Sequence, residues 1–340
     1  MKKIPVADSV GMVLVHDLTR IVPGHFKGSA FKKGHVIEPR DIPVLLSMGK
    51  DHIFVWDPPE GHIHENEAAL RIAGVVAGDG VDYGEPHEGK VSFKTRRDGL
   101  LRINRNGIDQ INSVLNMCLS TLHDHTPVKN GKTVAATRVI PLTIAEEAVL
   151  EVEKLRTKHE WLIKVVPYQP LSVGVVITGN EVYYGRIKDA FGPTLKDKME
   201  KYGCNITEQV YTPDEIEKIT EAVLKMHHNG RRLIMVAGGM SVDPDDTTPG
   251  AIKNTGANII TYGSPVQPGA MFMLAMLGET IILGLPACVI YCKATIFDIL
   301  LPRILAGQTV TRQDIVQLGV GGLCESCDSC SYPHCGFGRG

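Results

Sequence analysis

Residues 236–250 read VAGGMSVDPDDTTPG. An apolar strand, RRLIMVAGG, runs into two glycines. Ser241 follows, then Asp243, Asp245 and Asp246, then two threonines. Glycines let backbone N–H groups approach an anion with no side chain in the way. A hydroxyl donates to a phosphate or a carbonyl. Clustered carboxylates suit a hard cation that bridges to a phosphate, and they also accept hydrogen bonds from an amino-substituted heterocycle. One such loop is ordinary, because Gly-Gly after a strand is commonly just a turn and an aspartate there commonly caps the next helix. The flanking sequence decides what this one is.

From residue 172 onward, strand and helix patterns alternate. SVGVVIT (172–178) is an apolar strand, 190–202 a helix and CNITEQVYT (204–212) a strand. DEIEKITEAVLKMHHNG is a helix, with Asp214 near its start and Gly230 after its end. RRLIMVAGG, a short helix near 248–255, the strands MFMLAML and ETIILGL, and a helix near 287–306 complete the series. Alternation of this kind predicts an α/β fold, a three-layer parallel sheet with helices on both faces. In such sheets ligands sit beyond the carboxyl ends of the strands. Four strand ends here carry unusual chemistry: ITGNEV (177–182), TPDE (212–215), AGGMSVDPDD (237–246) and LGLPAC (283–288). A fifth loop, SPVQPGAM (264–271), precedes a strand. Thr178 and Ser241 supply hydroxyls; Glu181, Asp214, Asp243, Asp245 and Asp246 supply carboxylates.

The N-terminal half is expected to be a mixed α+β region over 1–165, split near 60. The α/β domain then covers 166–310 and a cysteine-rich tail 311–340, with the proline-flanked VVPYQPLS (165–172) at the boundary. Helices are expected over 62–78, 107–120 and 143–158, and a hairpin over 90–104 turning at Asp98-Gly99. DPPEG (57–61) reads as a turn, and Trp56 and Trp161 as packing residues.

Of the 340 residues, 43% are hydrophobic and 22% charged, as in a folded soluble protein, and the net charge of −2 gives no basic field for nucleic acid. The N-terminus lacks a signal-peptide pattern, and no apolar run is long enough to span a bilayer, so a cytoplasmic protein is expected.

TGNEV, GGMSVDPDD, PVQPGAM and GLPAC, in that order, resemble the molybdopterin-binding domain of molybdenum cofactor biosynthesis, as found in molybdopterin molybdenumtransferases and their adenylyltransferase relatives. The resemblance covers about 172–306; SVGMVLVHDLTRIVPG and FKKGHVIEPRDIPVLLSMGKDHIFV are more weakly similar to the transferase's other domains. It implies catalytic roles for Glu181, Asp214 and Asp246, with metal at Asp246 and Asp243. Thr178, Gly179, Asp189, Gly238, Gly239, Ser241, Pro268, Gly269, Gly284 and Pro286 would bind the pterin and its phosphate. The implied reaction is insertion of molybdate into adenylylated molybdopterin with Mg²⁺ and release of AMP. The implied partners are molybdopterin or its adenylylated form, molybdate, a second copy of the chain and a recipient molybdoenzyme. Three departures stand out. Gln267 and Ala270 replace lysines that usually flank Pro-Gly, Ala287-Cys288-Val289 replaces Gly-Asn-Pro, and the Asp-Gly-Tyr signature is missing. They leave open a non-catalytic carrier or sensor of the pterin cofactor. A nucleotide-processing relative of the same fold, acting on a dinucleotide pyrophosphate, is a third class.

The tail reads CESCDSCSYPHC, a C-x₂-C-x₂-C-x₄-C spacing formed by Cys324, Cys327, Cys330 and Cys335. Four thiolates suit tetrahedral Zn²⁺, and the first three echo a run that ligates an iron–sulfur cluster. Both alternatives stand, as does an unmetallated tail; GFGRG after it reads as disordered. Cys118, Cys204, Cys288 and Cys292 read as small packing residues. His62, His64, Glu65 and Glu67 read as the polar start of a helix or, less readily, a metal site. Lys94, Arg96, Arg97, Arg102 and Arg105 read as a solvated basic patch or a phosphate contact.

Overall fold

The computed structural model describes residues 2–22, 25–55, 59–243 and 246–339. Trp56, the first two residues of the 57–61 turn and Asp245 lie outside the described residues. The chain divides into two compact units. One comprises Met1–Arg97, Leu101–Asp124 and Val128–Val165; the other comprises Asp98–Leu100, His125–Pro127 and Val166–Gly340.

The second unit is built on a six-stranded sheet: β1 (Val173–Thr178), β2 (Ile206–Thr212), β3 (Leu233–Ala237), β4 (Asn258–Tyr262), β5 (Met273–Leu277) and β6 (Thr280–Leu285). Its helices are α1 (Phe191–Glu200), α2 (Ile216–His228), α3 (Thr248–Asn254), α4 (Ile296–Leu305) and α5 (Arg312–Gln317). Strand order is β2-β1-β3-β6-β5-β4. Side chains alternate across a strand, and both faces of β1 are apolar. Val173, Val175 and Ile177 join Leu195 of α1 and Phe297 of α4 in one core, whereas Val176 joins Ile219 of α2 and Ile252 of α3 in another. Every residue of β1 and β3 is buried, which accounts for their unbroken apolar sequence.

β2, β1, β3 and β6 run parallel, but β5 pairs antiparallel with β6, and β4 antiparallel with β5. This corrects the expectation of a wholly parallel sheet. Only Gly278 and Glu279 separate β5 from β6, too few residues for a crossover, and Gly278 takes the left-handed φ of +57° that a tight reversal needs. The expected helix over 287–306 is two pieces, Cys288–Tyr291 and α4. Thr295 ends the gap between them: its side chain accepts from the Phe297 amide, and the Asp298 carboxylate accepts from the Thr295 amide, a capping box that starts a new helix.

In the first unit, a helix at Glu65–Val76 packs on a sheet of Val81–Tyr83, Lys90–Thr95, Thr133–Val139 and Met117–Thr121. Three expectations fail there. Lys90–Thr95 pairs with Val81–Tyr83 and Thr133–Val139, so the hairpin over 90–104 does not form. The helix expected over 107–120 is Arg105–Asn112; Asn116, at φ +68°, breaks the chain before the strand Met117–Thr121. The expected 143–158 helix starts as a short strand, Thr143–Ala145, paired with His62–His64.

The tail from Gly322 is also packed, contrary to the disorder expected of GFGRG. Phe337 is buried in the core that holds Ile299 and Leu318, and the Gly338 amide donates to the Gly321 carbonyl at 2.9 Å. Among the described residues no helix is long and apolar enough to cross a membrane.

Candidate functional site

The sheet register brings the five loops to one edge. Thr178 lies opposite Thr212, Ile177 opposite Ala237, and Ala237 opposite Leu285, so the loops after β1, β2, β3 and β6 leave on the same side. Met273, which follows the 264–271 loop, pairs with Gly284 near the end of β6. Reversal of β5 therefore delivers that loop to the carboxyl edge of the parallel strands.

Behind the glycine loop the packing is close. A Cβ on Gly238, at φ +105°, would lie 2.6 Å from the Thr178 carbonyl oxygen, and one on Gly239 would lie 2.9 Å from Thr248 Oγ1. Thr248, which the sequence does not single out, donates its hydroxyl to the Gly238 carbonyl at 2.8 Å, and its oxygen lies 3.3 Å from Thr178 Oγ1. Thr178 is thus a buried strut of the loop and not an exposed donor. The sequence signal for Thr248 is its place as the second threonine of DDTTPG, just before the helix-starting proline. Ser241 and Val242 are exposed beyond the glycines.

The carboxylates hold loops together. Asp214 accepts the Asn180 amide at 2.8 Å, tying the β2 loop to the β1 loop. Asp246 accepts the Asp243 amide at 3.3 Å, inside its own turn; α3 takes Thr247 as its N-cap with no side-chain cap, so Asp246 does not cap that helix. Burial raises the pKa of Tyr262 and the charge of Asp246 adds to it; the Tyr262 hydroxyl donates to the Met240 carbonyl at 3.0 Å. Glu181 is exposed, its carboxylate folded back over Gly179. Asp189 accepts the Phe191 and Gly192 amides at 2.8 and 3.0 Å and the Tyr211 hydroxyl at 3.1 Å, which makes it the anchor of the first turn of α1. Burial raises the Tyr211 phenol, and Asp189 raises it further.

In the Pro-Gly loop, the Gln267 amide donates to the Gly322 carbonyl and the Gln267 carbonyl accepts from the Cys324 amide, both at 2.8 Å. A Cβ on Gly269, at φ +124°, would lie 2.6 Å from Ile296 Cγ2 of α4. In the last loop, Gly284 admits Met240, whose terminal methyl would meet a Cβ there at 2.7 Å, and the Pro286 carbonyl accepts the Val289 amide at 3.1 Å. Burial pushes the Cys288 thiol up to about 11, with Cys292 adding to the effect, so it is protonated at neutral pH. Lys198 of α1, also missed in the sequence, is buried with its ammonium 2.6 Å from Asp298.

Four tail cysteines do not form a closed cage. Cys324, Cys327, Cys330 and Cys335 are free thiols, Cys327 and Cys330 exposed, and among the described residues no three His, Cys, Asp or Glu side chains are grouped to hold a metal ion. The HIHENE cluster has the plainer of its two expected roles. His64 accepts the Asn66 amide at 3.1 Å as a helix cap and its other nitrogen lies 2.8 Å from the Val15 carbonyl oxygen, while burial raises the Glu65 carboxyl. In the basic patch, Arg96, Arg97 and Arg102 pair with Asp82, Asp79 and Asp124, as a solvated surface does.

Residues 174–306 match the family described as "Probable molybdopterin binding domain". That segment is a domain of the molybdopterin-binding family. Residues 3–57 match a family described as a domain of unknown function. Among curated proteins, the chain is 23% identical over 158 residues to a molybdopterin molybdenumtransferase of Synechococcus elongatus, covering 44% of this chain and 39% of that one. It is 32% identical over 75 residues to a CinA-like protein of Mycobacterium avium, covering 22% of this chain and 17% of that one. The chain thus spans well under half the length of either relative. Among solved structures, the molybdopterin-binding domain is similar to the molybdopterin biosynthesis Mog protein of Mycobacterium ulcerans (18% identity, 39% of this chain and 92% of that one, TM-score 0.31). It is also similar to the tungsten cofactor synthesizing protein MoaB of Pyrococcus furiosus (18%, 36% and 84%, TM-score 0.31).

Proposed function

We propose that the carboxyl edge of the sheet binds molybdopterin in adenylylated form and supports insertion of molybdate with release of AMP. The observation that carries this reading is the meeting at one edge of the loops holding Asp214, Gly238-Gly239, Pro268-Gly269 and Gly284. Bare backbone at Gly238 and Gly239, backed by Thr248 and Thr178, offers amides to the pterin phosphate without a side chain between. Ser241 adds a hydroxyl donor at the exposed rim. The donor set of Asp243 and Asp246, carboxylate oxygens in one turn, fits a Mg²⁺ ion that takes one or two carboxylates and completes its shell with substrate phosphates and water. Mg²⁺ held there would offset negative charge on the phosphoanhydride. Asp214 fixes the β1 loop, and with it Glu181, against the β2 loop. We assign the tail cysteines to a soft metal, as Zn²⁺ or an iron–sulfur cluster. A second copy and a recipient molybdoenzyme are the expected protein partners.

The carrier reading draws on one specific observation. Gln267 stands in place of a lysine and 264–271 holds no Lys or Arg, so this loop presents no cation to an oxyanion. The experiment is to incubate the protein with adenylylated molybdopterin, molybdate and Mg²⁺. AMP release with formation of active cofactor, lost at least tenfold in Asp246→Asn at unchanged melting temperature, supports the transferase. Retention of the pterin without AMP release supports the carrier, and absence of pterin binding overturns both.

A further inference from the structure

Beside the Pro-Gly loop, a cavity of about 470 Å³ is lined by Pro268, Lys293 and five cysteines: Cys292, Cys324, Cys327, Cys330 and Cys335. Four of the thiols belong to the tail. Cys292 does not: it lies in the short break between the helix Cys288–Tyr291 and α4, in the body of the domain. The break is held by the Thr295–Asp298 capping box and by Lys198, whose ammonium lies 3.3 Å from the Lys293 carbonyl oxygen and 2.6 Å from Asp298. The Cys292 amide itself donates to the Cys288 carbonyl at 2.9 Å, so Cys292 sits between anchored neighbours. Tyr332 of the tail, which also lines the cavity, donates its hydroxyl to the Asp298 carbonyl at 2.9 Å, so tail and break are tied to the same helix start.

We infer that this cavity binds a soft metal centre through thiolates, with Cys292 as the ligand from the domain body and tail cysteines as the others, and that its occupancy fixes the 264–271 loop. The chemistry is that of soft thiolate ligands on a thiophilic metal. Each thiol that ligates gives up its proton, and Lys293 on the cavity wall offsets part of the added negative charge. The five sulfurs ring the cavity without converging. Cys327 and Cys330 are exposed, so binding draws the 325–331 turn inward. A site that includes Cys292 adds a bond from the domain body to the hydrogen bonds that already hold the tail. The site reaches the Pro-Gly loop through two hydrogen bonds, Gln267 N–H to Gly322 O and Cys324 N–H to Gln267 O, each 2.8 Å. That the loop serves pterin binding rests on the function proposed above; the metal centre does not.

The test uses the full chain, purified without oxygen and stripped of metal. It is then loaded with Zn²⁺ alone or, separately, with Fe²⁺ and sulfide. Stoichiometric zinc held by one arm, or iron with matching acid-labile sulfide and visible charge-transfer absorption held by the other, identifies the centre. Cys292→Ser is expected to lower affinity for the competent metal at least tenfold against a competing chelator, while Cys118→Ser, an exposed thiol outside this unit, leaves it unchanged. Circular dichroism and a Cys292→Ala variant guard against simple misfolding. Loading is also expected to slow amide exchange across 264–271 at least tenfold in the wild type and not in Cys292→Ser. Wild-type affinity in Cys292→Ser, or failure of both arms to bind, overturns the centre. Unaltered exchange on loading overturns its link to the loop. A chain that shows the Cys292-dependent centre but binds no pterin refutes the proposed function and leaves the centre standing.

Discussion

The Asp214 carboxylate accepts the backbone amide of Asn180 at 2.8 Å, joining the loops that follow the two neighbouring strands β1 and β2. An aspartate side chain that replaces a missing backbone partner fixes both loops at once, and such a charge-assisted bond is worth about 1–2 kcal/mol net. Asp214→Ala should lower the free energy of unfolding by about that amount. Asp214→Asn keeps a carbonyl acceptor and should stay within about 0.5 kcal/mol of wild type in denaturant unfolding. The asparagine variant then reads the charge alone. A tenfold or greater loss of AMP release at wild-type stability is expected, and full activity would reduce Asp214 to a loop tie.

Gly238 and Gly256 share left-handed backbone but not surroundings. A Cβ on Gly238 would press into the Thr178 carbonyl, whereas around Gly256, at φ +80°, nothing lies within 4 Å. Alanine at Gly256 should cost about 1 kcal/mol from backbone strain, and alanine at Gly238 about 2–3 kcal/mol because the strand end must also move. Thermal melts of the two variants measure the gap, and equal losses would show that the glycine loop is not tightly backed.

The Lys198–Asp298 pair lies at 2.6 Å with both side chains nearly inaccessible to water. Removing the ammonium leaves a buried carboxylate whose remaining partners are the Thr295 amide and hydroxyl. Lys198→Met should destabilise by about 3–5 kcal/mol, and adding Asp298→Asn should recover most of the loss, since the amide still caps α4 without a charge. Chemical denaturation of the single and double variants decides; no recovery would mean that the pair matters through packing.

Asp314 caps α5 through Thr311 and pairs with Arg303. Burial alone would raise its pKa, but the Thr311 hydroxyl and amide and the Arg303 guanidinium outweigh it and hold the carboxyl at about 2, against 3.8 when free. The folded value is the lower one. Its stabilisation is therefore complete above pH 4 and is lost as pH falls from 4 through 2. Allowing for solvent screening of a partly exposed group, about 1 kcal/mol is at stake. Unfolding curves for Asp314→Asn should be correspondingly flatter between pH 4 and pH 2 than those of wild type, and parallel curves would contradict the assignment.

Much of the α/β domain was legible because its signals are local and periodic. Six consecutive buried residues from Val173 to Thr178 announce a central strand, and Asp214 and Gly230 bracket α2. The antiparallel pair β5–β6 was less legible, since MFMLAML and ETIILGL are equally apolar and only the two-residue Gly278-Glu279 link betrays their direction. In the first unit, Lys90–Thr95 sits next in sequence to 99–103 yet pairs with Val81–Tyr83 before it and with Thr133–Val139 some forty residues after it, and no tight-turn signal reports the second pairing. Motif chemistry singles out Asp214, Gly238 and Gly239, whose loops leave the sheet at one edge. Thr248 and Lys198 were missed because their partners, Gly238 and Asp298, are distant in sequence. Cys292 was hidden for the same reason: nothing beside it in the chain mentions the tail.

The tail offers the sharpest departure, because a low-complexity ending built of glycine, cysteine and serine gives little reason to expect core residues. Phe337 is nonetheless 5% exposed, packed in the same core as Ile299 and Leu318, with its ring centroid 6.1 Å from that of Tyr332. Gly338 passes so close to Ile299 that a Cβ would lie 2.6 Å from its terminal carbon, and Arg339 bonds the Pro333 carbonyl at 2.5 Å, closing the tail on itself. Truncation after Gly322 should therefore lower the melting temperature of the whole chain and not merely remove an appendage. Phe337→Ala isolates the packing from the thiols and should cost about 3 kcal/mol. Phe337→Leu, which retains most of the apolar volume, should recover more than half of that. A truncated chain that melts like the full one would show that these contacts contribute nothing to stability.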